Sequence, residues 1–459
     1  MSFIRLTILV VYVMWPAAAY AADGSVHLYL QPLSPEAASL TFRVTSLSAV
    51  GANDAQHALK LNLRVVSHAD ARRQRLLASG RLPLGSYAGF TMTVKQAAVK
   101  SGRAETALAV PDRPVRIDFP FTVAEQNSPL VWLTLRYNES VGDGLEFIPA
   151  FSVVAPPRPI AGHAGFVTNS NANTITVLDK NLAQAVAVVD TCAGPSGMAL
   201  DQPRRRLSVA CSKDDEIQAL DVQTGDIVER SRVSPGDRPR ELALTPDGVT
   251  LISVNSGSNS ISFFDAGSLT RQERVNVGSS PGSILIDASG RRGFVFNTLS
   301  SSLSVIDIAN RSVAATMSTE SAPLRGRLNR RGDRLFVIHE RSPYMTVLDP
   351  QQLTILNRVR LRVAASAIAV DSIRDLVCLS GSTDTTVDFY DPNALMPLYV
   401  LRTTTDVSYL AIDAEDNNLY MVSPGTRSVV VARLTNRTVA AEIDVDDAPY
   451  WVAVMGEKK

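Results

Sequence analysis

Beyond residue 162 the apolar positions fall in short runs of four to six, each closed by polar turn residues, and the arrangement repeats. Strand-like runs end in aspartate at Asp179, Asp221, Asp265, Asp307, Asp349 and Asp391, at spacings of 42, 44, 42, 42 and 42 residues. Another 42 residues lands on Arg433, which closes the run Ser428-Val429-Val430-Val431-Ala432 in place of an aspartate. A second column keeps the same phase: Pro195, Pro239, Pro281, Pro323 and Pro449, with Ala365 and Val407 in the two remaining slots. Two columns in register over about 270 residues define seven units.

Each unit holds four β patterns. In one they read Ser283-Ile284-Leu285-Ile286, Gly293-Phe294-Val295-Phe296, Leu303-Ser304-Val305-Ile306 and Val313-Ala314-Ala315-Thr316. Turn residues such as Asp287-Ala288-Ser289-Gly290 separate them, and helical periodicity is absent. Four strands recurring about every 42 residues predict a seven-bladed β-propeller over residues 163–459. The region opens on Gly165-Phe166-Val167-Thr168-Asn169, the second strand of a unit, and ends on Pro449-Tyr450-Trp451-Val452-Ala453-Val454, a first strand. The last strand is therefore expected to complete the first blade, which removes an open sheet edge.

Phe166-Val167-Thr168-Asn169, Thr174-Ile175-Thr176-Val177-Leu178-Asp179 and Gly194-Pro195-Ser196-Gly197 resemble the YVTN-type propeller repeat. That family includes exported bacterial propellers and archaeal surface-layer proteins. The resemblance implies the fold and leaves the activity open, because the fold hosts unrelated functions.

Residues 23–154 lack the repeat. Alternating segments such as Ser25-Val26-His27-Leu28-Tyr29-Leu30, Leu40-Thr41-Phe42-Arg43-Val44 and Leu130-Val131-Trp132-Leu133-Thr134-Leu135 predict a β-sandwich of seven or eight strands. Leu82-Pro83-Leu84-Gly85-Ser86-Tyr87, Phe119-Pro120-Phe121-Thr122-Val123 and Phe147-Ile148-Pro149-Ala150-Phe151 are similar to an exported sandwich family of unknown function. Residues 155–162, with Ala155-Pro156-Pro157-Arg158-Pro159, read as a stiff linker, so the propeller is expected to fold without the sandwich.

Residues 1–22 read as a signal peptide: Arg5, an apolar run from Leu6 to Trp15, then Ala19-Tyr20-Ala21 as a small-x-small cleavage site. The run is too short to span a bilayer, which takes roughly 20 residues, and no later run is long enough. The mature protein is expected to be periplasmic or secreted, with no integral membrane segment. The 45 Lys and Arg balance the 45 Asp and Glu, so no basic field favours nucleic acid. An oxidising compartment permits a disulfide. Cys211 takes the slot held elsewhere by Asn169, Asn255 and Asn297, and Cys192 that of Gly236 and Gly278, on the same face. These two cysteines are expected to pair and Cys378 to remain a free, buried thiol.

No catalytic constellation is legible. The sequence contains no G-x-S-x-G elbow, phosphate loop, H-E-x-x-H helix or C-x-x-C-H haem attachment. The five histidines, His27, His57, His68, His163 and His339, do not converge as ligands, so neither a metal nor a cofactor is assigned. Arg331-Gly332-Asp333 falls in the slot of the turn Thr245-Pro246-Asp247-Gly248, and the Asp column reads as turn-fixing. One candidate site stands out where the innermost strands begin. The positions after the Pro column carry Arg240, Glu241, Arg325, Tyr409, Tyr450 and Trp451, and the sequence leaves open which of each pair faces the channel. Two arginines with three aromatics suit a small anionic or aromatic ligand; the alternative reading is that they plug and line the channel, with Arg240 paired to a carboxylate. The leading expectation is thus an exported cell-envelope binding or scaffolding protein, whose face takes such a ligand or an envelope protein. The alternative is a lactonase-like hydrolase, or a non-catalytic subunit of a periplasmic oxidoreductase.

Overall fold

The computed structural model describes residues 23–67, 72–101, 104–125, 128–142, 145–157, 160, 163–381, 383–403 and 405–457. The signal-peptide reading of residues 1–22, His68 and half of the 155–162 linker lie outside them.

Seven four-stranded antiparallel sheets follow one another from residue 164 to residue 454. Each is laid down in sequence order except the first, blade 1. There the chain supplies Ala164–Asn169, Thr174–Asp179 and Gln184–Asp190, and the inner strand arrives last as Pro449–Val454. Gly165, Phe166, Val167 and Thr168 pair with Val454, Ala453, Val452 and Trp451, as the strand phase predicts. The inner strands of blades 2 to 7 are Pro195–Asp201, Pro239–Leu244, Pro281–Ile286, Pro323–Leu328, Ala367–Asp371 and Tyr409–Asp413. Each neighbours the next, and the first and last both neighbour Pro449–Val454, so the ring is closed.

The repeated columns have local physical causes. Asp179, Asp221, Asp265, Asp349 and Asp391 each accept, through Oδ1, the two backbone N–H groups two and three residues on. This is the side-chain-capped turn anticipated from sequence. At the other end of the blades, Asn169, Asn255 and Asn297 are buried, and each donates through Nδ2 to two hydroxyls of the next strand. The Arg331-Gly332-Asp333 tripeptide is a turn: Gly332 has φ of 71°, beside 72° at Gly248 and 69° at Gly290, the region glycine adopts without a Cβ penalty.

Residues 23–154 form two main sheets and a short hairpin. One sheet orders Phe151–Val154, Leu130–Leu135, Asp23–Leu30, Arg75–Pro83 and Lys60–Leu61; the other is built on Leu40–Gly51 and the 17-residue strand Gly85–Ser101. Their apolar faces enclose Leu28, Phe42, Phe90 and Phe147, which are fully or nearly fully buried. The alternation seen in sequence is the sandwich pattern, one face in and one face out.

The expectation of a freely separable propeller meets a broad interface. Tyr29, Leu76 and Leu130 of the sandwich belong to the same apolar cluster as Val177, Val188, Tyr420 and Trp451 of blades 1 and 7. Polar contacts surround it. Arg75 Nε donates to Asp444 Oδ2 at 2.8 Å, Tyr29 Oη to the Asp444 carbonyl at 3.2 Å, and Ser25 N to Asp190 Oδ2 at 3.0 Å. His27 Nε2 lies 2.6 Å from Asp446 Oδ2. The Gln74 amide both donates to and accepts from the backbone of Ala185. These partners sit on the outer strands of blades 1 and 7, or in the loop leading to the closing strand. The sandwich straddles the seam where the ring closes. Inside the seam, Lys180 Nζ lies 2.6 Å from Asp413 Oδ2, 3.0 Å from Asp416 Oδ2 and 2.6 Å from the Met455 carbonyl, with its side chain 1% exposed. A sequence pattern shows that proline stiffens 155–159 but carries no sign of which surfaces then meet.

Cys192 and Cys211 are joined by a disulfide with Cα atoms 5.8 Å apart, and Cys378 is free and buried.

Candidate ligand site in the central channel

Two rings of side chains, set by position along the inner strands, divide the channel. The first stands two residues past the Pro column: Gly197, Glu241, Ser283, Arg325, Ala367, Tyr409 and Trp451. Its four large members come from blades 1, 3, 5 and 7, and its small members from the blades between. That alternation lets four bulky groups meet on one level. Gly197 is required by the closeness of blades 2 and 3, since a Cβ there would lie 2.7 Å from Glu241 Cα.

The large members pair with one another, although Arg325 Nε is buried without a hydrogen-bond partner. Arg325 Nη2 donates to Glu241 Oε2 at 3.0 Å, and Ser283 Oγ donates to Glu241 Oε1 at 2.9 Å. The Arg325 guanidinium lies 4.7 Å from the Tyr409 ring centroid and 4.8 Å from that of Trp451; the two rings stack on each other at 4.0 Å. All four residues are buried. Burial pushes the Tyr409 phenol well above its ordinary pKa, so it stays neutral. One level nearer the face, Arg240 Nε donates to Tyr450 Oη at 2.9 Å.

The structure thus brings together all six residues singled out in sequence, and resolves which of each pair enters the channel. Glu241, Arg325, Tyr409 and Trp451 form the ring, while Arg240 and Tyr450 pair beside the mouth. It does not turn the two arginines onto one empty anion site. Arg325 is committed to Glu241 and two aromatic faces, as a guanidinium removed from water must be.

The second ring stands two residues further on: Ala199, Ala243, Leu285, Arg327, Ala369, Ala411 and Ala453. Small side chains at five of seven positions leave the channel wide. A cavity of about 980 Å³ fills this half and opens on the face where the inner strands end. Glu241, Tyr409 and Trp451 line its deep end; Leu242, Ile284, Leu328 and Ile412 are among its apolar walls. The turns 287–292 and 329–332 form its rim. Arg327 was not anticipated. Its sequence signal was the one charge in a column otherwise of alanine and leucine, visible once the Pro column is extended by four. Among the described residues, no three or more His, Cys, Asp or Glu side chains come together as a metal site, and no helix is long and apolar enough to cross a membrane.

No family model matches the chain, and no curated protein matches it. Solved structures do resemble it. A functionally unknown protein from Desulfotomaculum acetoxidans superposes with TM-score 0.57 at 13% identity, over 64% of this chain and 100% of that one. A chain of the hydrazine synthase of Kuenenia stuttgartiensis gives 0.54 at 16%, over 61% and 97%. The β-propeller domain of Cps50 (Swd1) from Myceliophteria thermophila gives 0.50 at 15%, over 60% and 98%. At these identities the likeness is one of fold, and that fold is the β-propeller.

Proposed function

We propose that the chain is an exported, non-enzymatic binding protein of the cell envelope, with a YVTN-type propeller that holds a small ligand in its central channel. The observation that carries this reading is the asymmetry of the channel. One half is filled by side chains packed and paired with each other, and the other is an open cavity of about 980 Å³, at the upper end of the range of small-molecule sites. A packed channel would need neither the alanine ring nor the arginine within it. The lactonase-like alternative needs channel carboxylates free for a metal, and Glu241 is already paired with Arg325. A second reading, a non-catalytic subunit of a periplasmic oxidoreductase, draws on the hydrazine synthase chain of similar fold.

Native mass spectrometry of the protein purified from its own envelope tests the proposal. The wild type is expected to carry a small-molecule adduct, and Ala243→Phe, which fills the cavity from the second ring, is expected to lose it. Absence of any adduct, together with no thermal shift on adding envelope extract, would remove the channel as the functional site.

A further inference from the structure

Arg327 sits in the second ring, half-buried, between Leu285 and Ala369 of the neighbouring blades. Its Nη1 donates to the Gly326 carbonyl at 3.0 Å, and among the described residues no carboxylate lies within 4.0 Å of it. This sets it apart from Arg292, Asp307 and Glu241, charged groups of the cavity whose side chains have partners beyond the adjacent residue. Arg292 is held by the Pro350 carbonyl at 2.9 Å and lies 3.6 Å from Asp287. Asp307 accepts from Asn310 N at 2.9 Å and from Asn310 Nδ2 at 2.8 Å. Glu241 belongs to Arg325. Arg291, Arg330 and Arg331 are exposed at the rim, and Glu457 is half-buried in the wall. Among the described residues the opening therefore carries an excess of unpaired positive charge, and Arg327 lines the cavity two residues along its strand from the Arg325 level, where Tyr409 forms the floor. After burial, Arg327 is the largest influence on that phenol and pulls its pKa down.

We infer that the cavity selects a small organic anion with an apolar body, received by Arg327. An arginine lacking a carboxylate partner keeps planar donors that fit a carboxylate or phosphate in two-point fashion. Leu242, Ile284, Leu328, Ile412 and the alanines of the ring that line the cavity, Ala243, Ala369, Ala411 and Ala453, reward removal of an apolar body from water. An inorganic anion would leave those walls unused, and a neutral apolar ligand would leave Arg327 desolvated without a partner. Rim arginines 291, 330 and 331 raise the local concentration of anions and so speed capture.

The inference rests on the channel-binding reading above, and the experiment separates the two. The mature protein is titrated calorimetrically with 2-naphthoate and with its neutral isostere 2-naphthamide. Naphthoate is expected to bind at least tenfold more tightly than the amide, with an affinity that falls as salt rises. Arg327→Gln is expected to lower naphthoate to the level of the amide and leave the amide unchanged. Ala243→Phe is expected to abolish both; should it not fold, Leu285→Trp fills the same level from the next blade. Equal affinities, a like loss of both probes in Arg327→Gln, or no binding of naphthoate to the wild type overturns the anion inference. If the native adduct still disappears in Ala243→Phe, the binding reading survives that result. If the adduct persists in the cavity-filled variants, the binding reading itself falls.

Discussion

The two halves of the channel are built from the same seven strands, two residues apart, yet they differ in kind. In the plugged half every charged group has a partner within the protein: Glu241 with Arg325, and Arg240 with Tyr450. In the open half, among the described residues, the Arg327 side chain has only the carbonyl next to it in sequence. A buried charge is tolerated when another group neutralises it and accepts its hydrogen bonds, and breaking such a pair strands the survivor. The plugged half is therefore held by contacts within the protein, and the open half is the one the proposed ligand would enter. Of the six residues singled out at the channel mouth, Glu241, Tyr409 and Trp451 both belong to the plug and line the deep end of the open half.

The sharpest way to break this contrast is to remove Glu241. Glu241→Ala leaves Arg325 buried without its carboxylate, and a loss of about 3–5 kcal/mol in denaturant unfolding is expected. The paired replacement Glu241→Leu with Arg325→Met should lie within about 1 kcal/mol of the wild type. A mild effect of Glu241→Ala alone would mean that water reaches Arg325 and that this half is also open.

The disulfide stiffens the same face as the plug. Replacing both Cys192 and Cys211 by serine is expected to cost about 3 kcal/mol on the loop-entropy estimate for so short a loop. Thiol counting in denaturant without reductant should find one reactive group, Cys378; three would dismiss the bridge. Next in size comes Tyr450→Phe, which strips Arg240 of its acceptor at the half-buried mouth, for about 1 kcal/mol in the same unfolding assay.

A smaller, pH-dependent effect is expected at His339. It occupies the slot of Asn169, Asn255 and Asn297, and its Nε2 lies 2.9 Å from Thr346 Oγ1. Burial holds its imidazole below the ordinary pKa. Between the lowered value and about 6.5 the unfolded chain binds the proton and the folded one does not, so stability is full above about pH 6.5 and declines as pH falls. His339→Asn, which restores the residue of the repeat, should flatten the dependence of Tm on pH between about 5 and 7. An unchanged slope would assign it to other groups. Smallest of all, Arg327→Leu should change stability by no more than about 0.5 kcal/mol, because no internal ion pair is lost. A large loss would move Arg327 from the ligand side of the comparison to the structural side.

Much of this was legible in the chain because each propeller blade is specified locally. The aspartate that caps a turn, the asparagine that bridges two hydroxyls and the proline that opens five of the seven inner strands all act within a few residues, so they recur at a fixed spacing and can be counted. The joining of Cys192 and Cys211 could be anticipated for the same reason, since register places two unusual residues on one face. The sandwich was legible as a type of fold from alternation alone, but the pairing of Asp23–Leu30 with the distant Leu130–Leu135 was not.

What only the tertiary structure decided concerns groups that meet across blades or between domains. Contacts such as Glu241 with Arg325, and Tyr409 with Trp451, join residues far apart in sequence with no local term linking them. The alternation of large and small residues around the first ring acquires meaning only when seven strands are bent into a circle. The clamp of the sandwich over the ring seam depends on His27, Arg75 and Gln74 meeting Asp446, Asp444 and Ala185, and a proline-rich linker cannot foretell it. Local hydrogen bonding and alternation are short-range and leave a periodic trace; complementarity between separated surfaces leaves none. The sequence by itself therefore determined the blades and their closure, while the packed three-dimensional ring decided which end of the channel is filled and which is open.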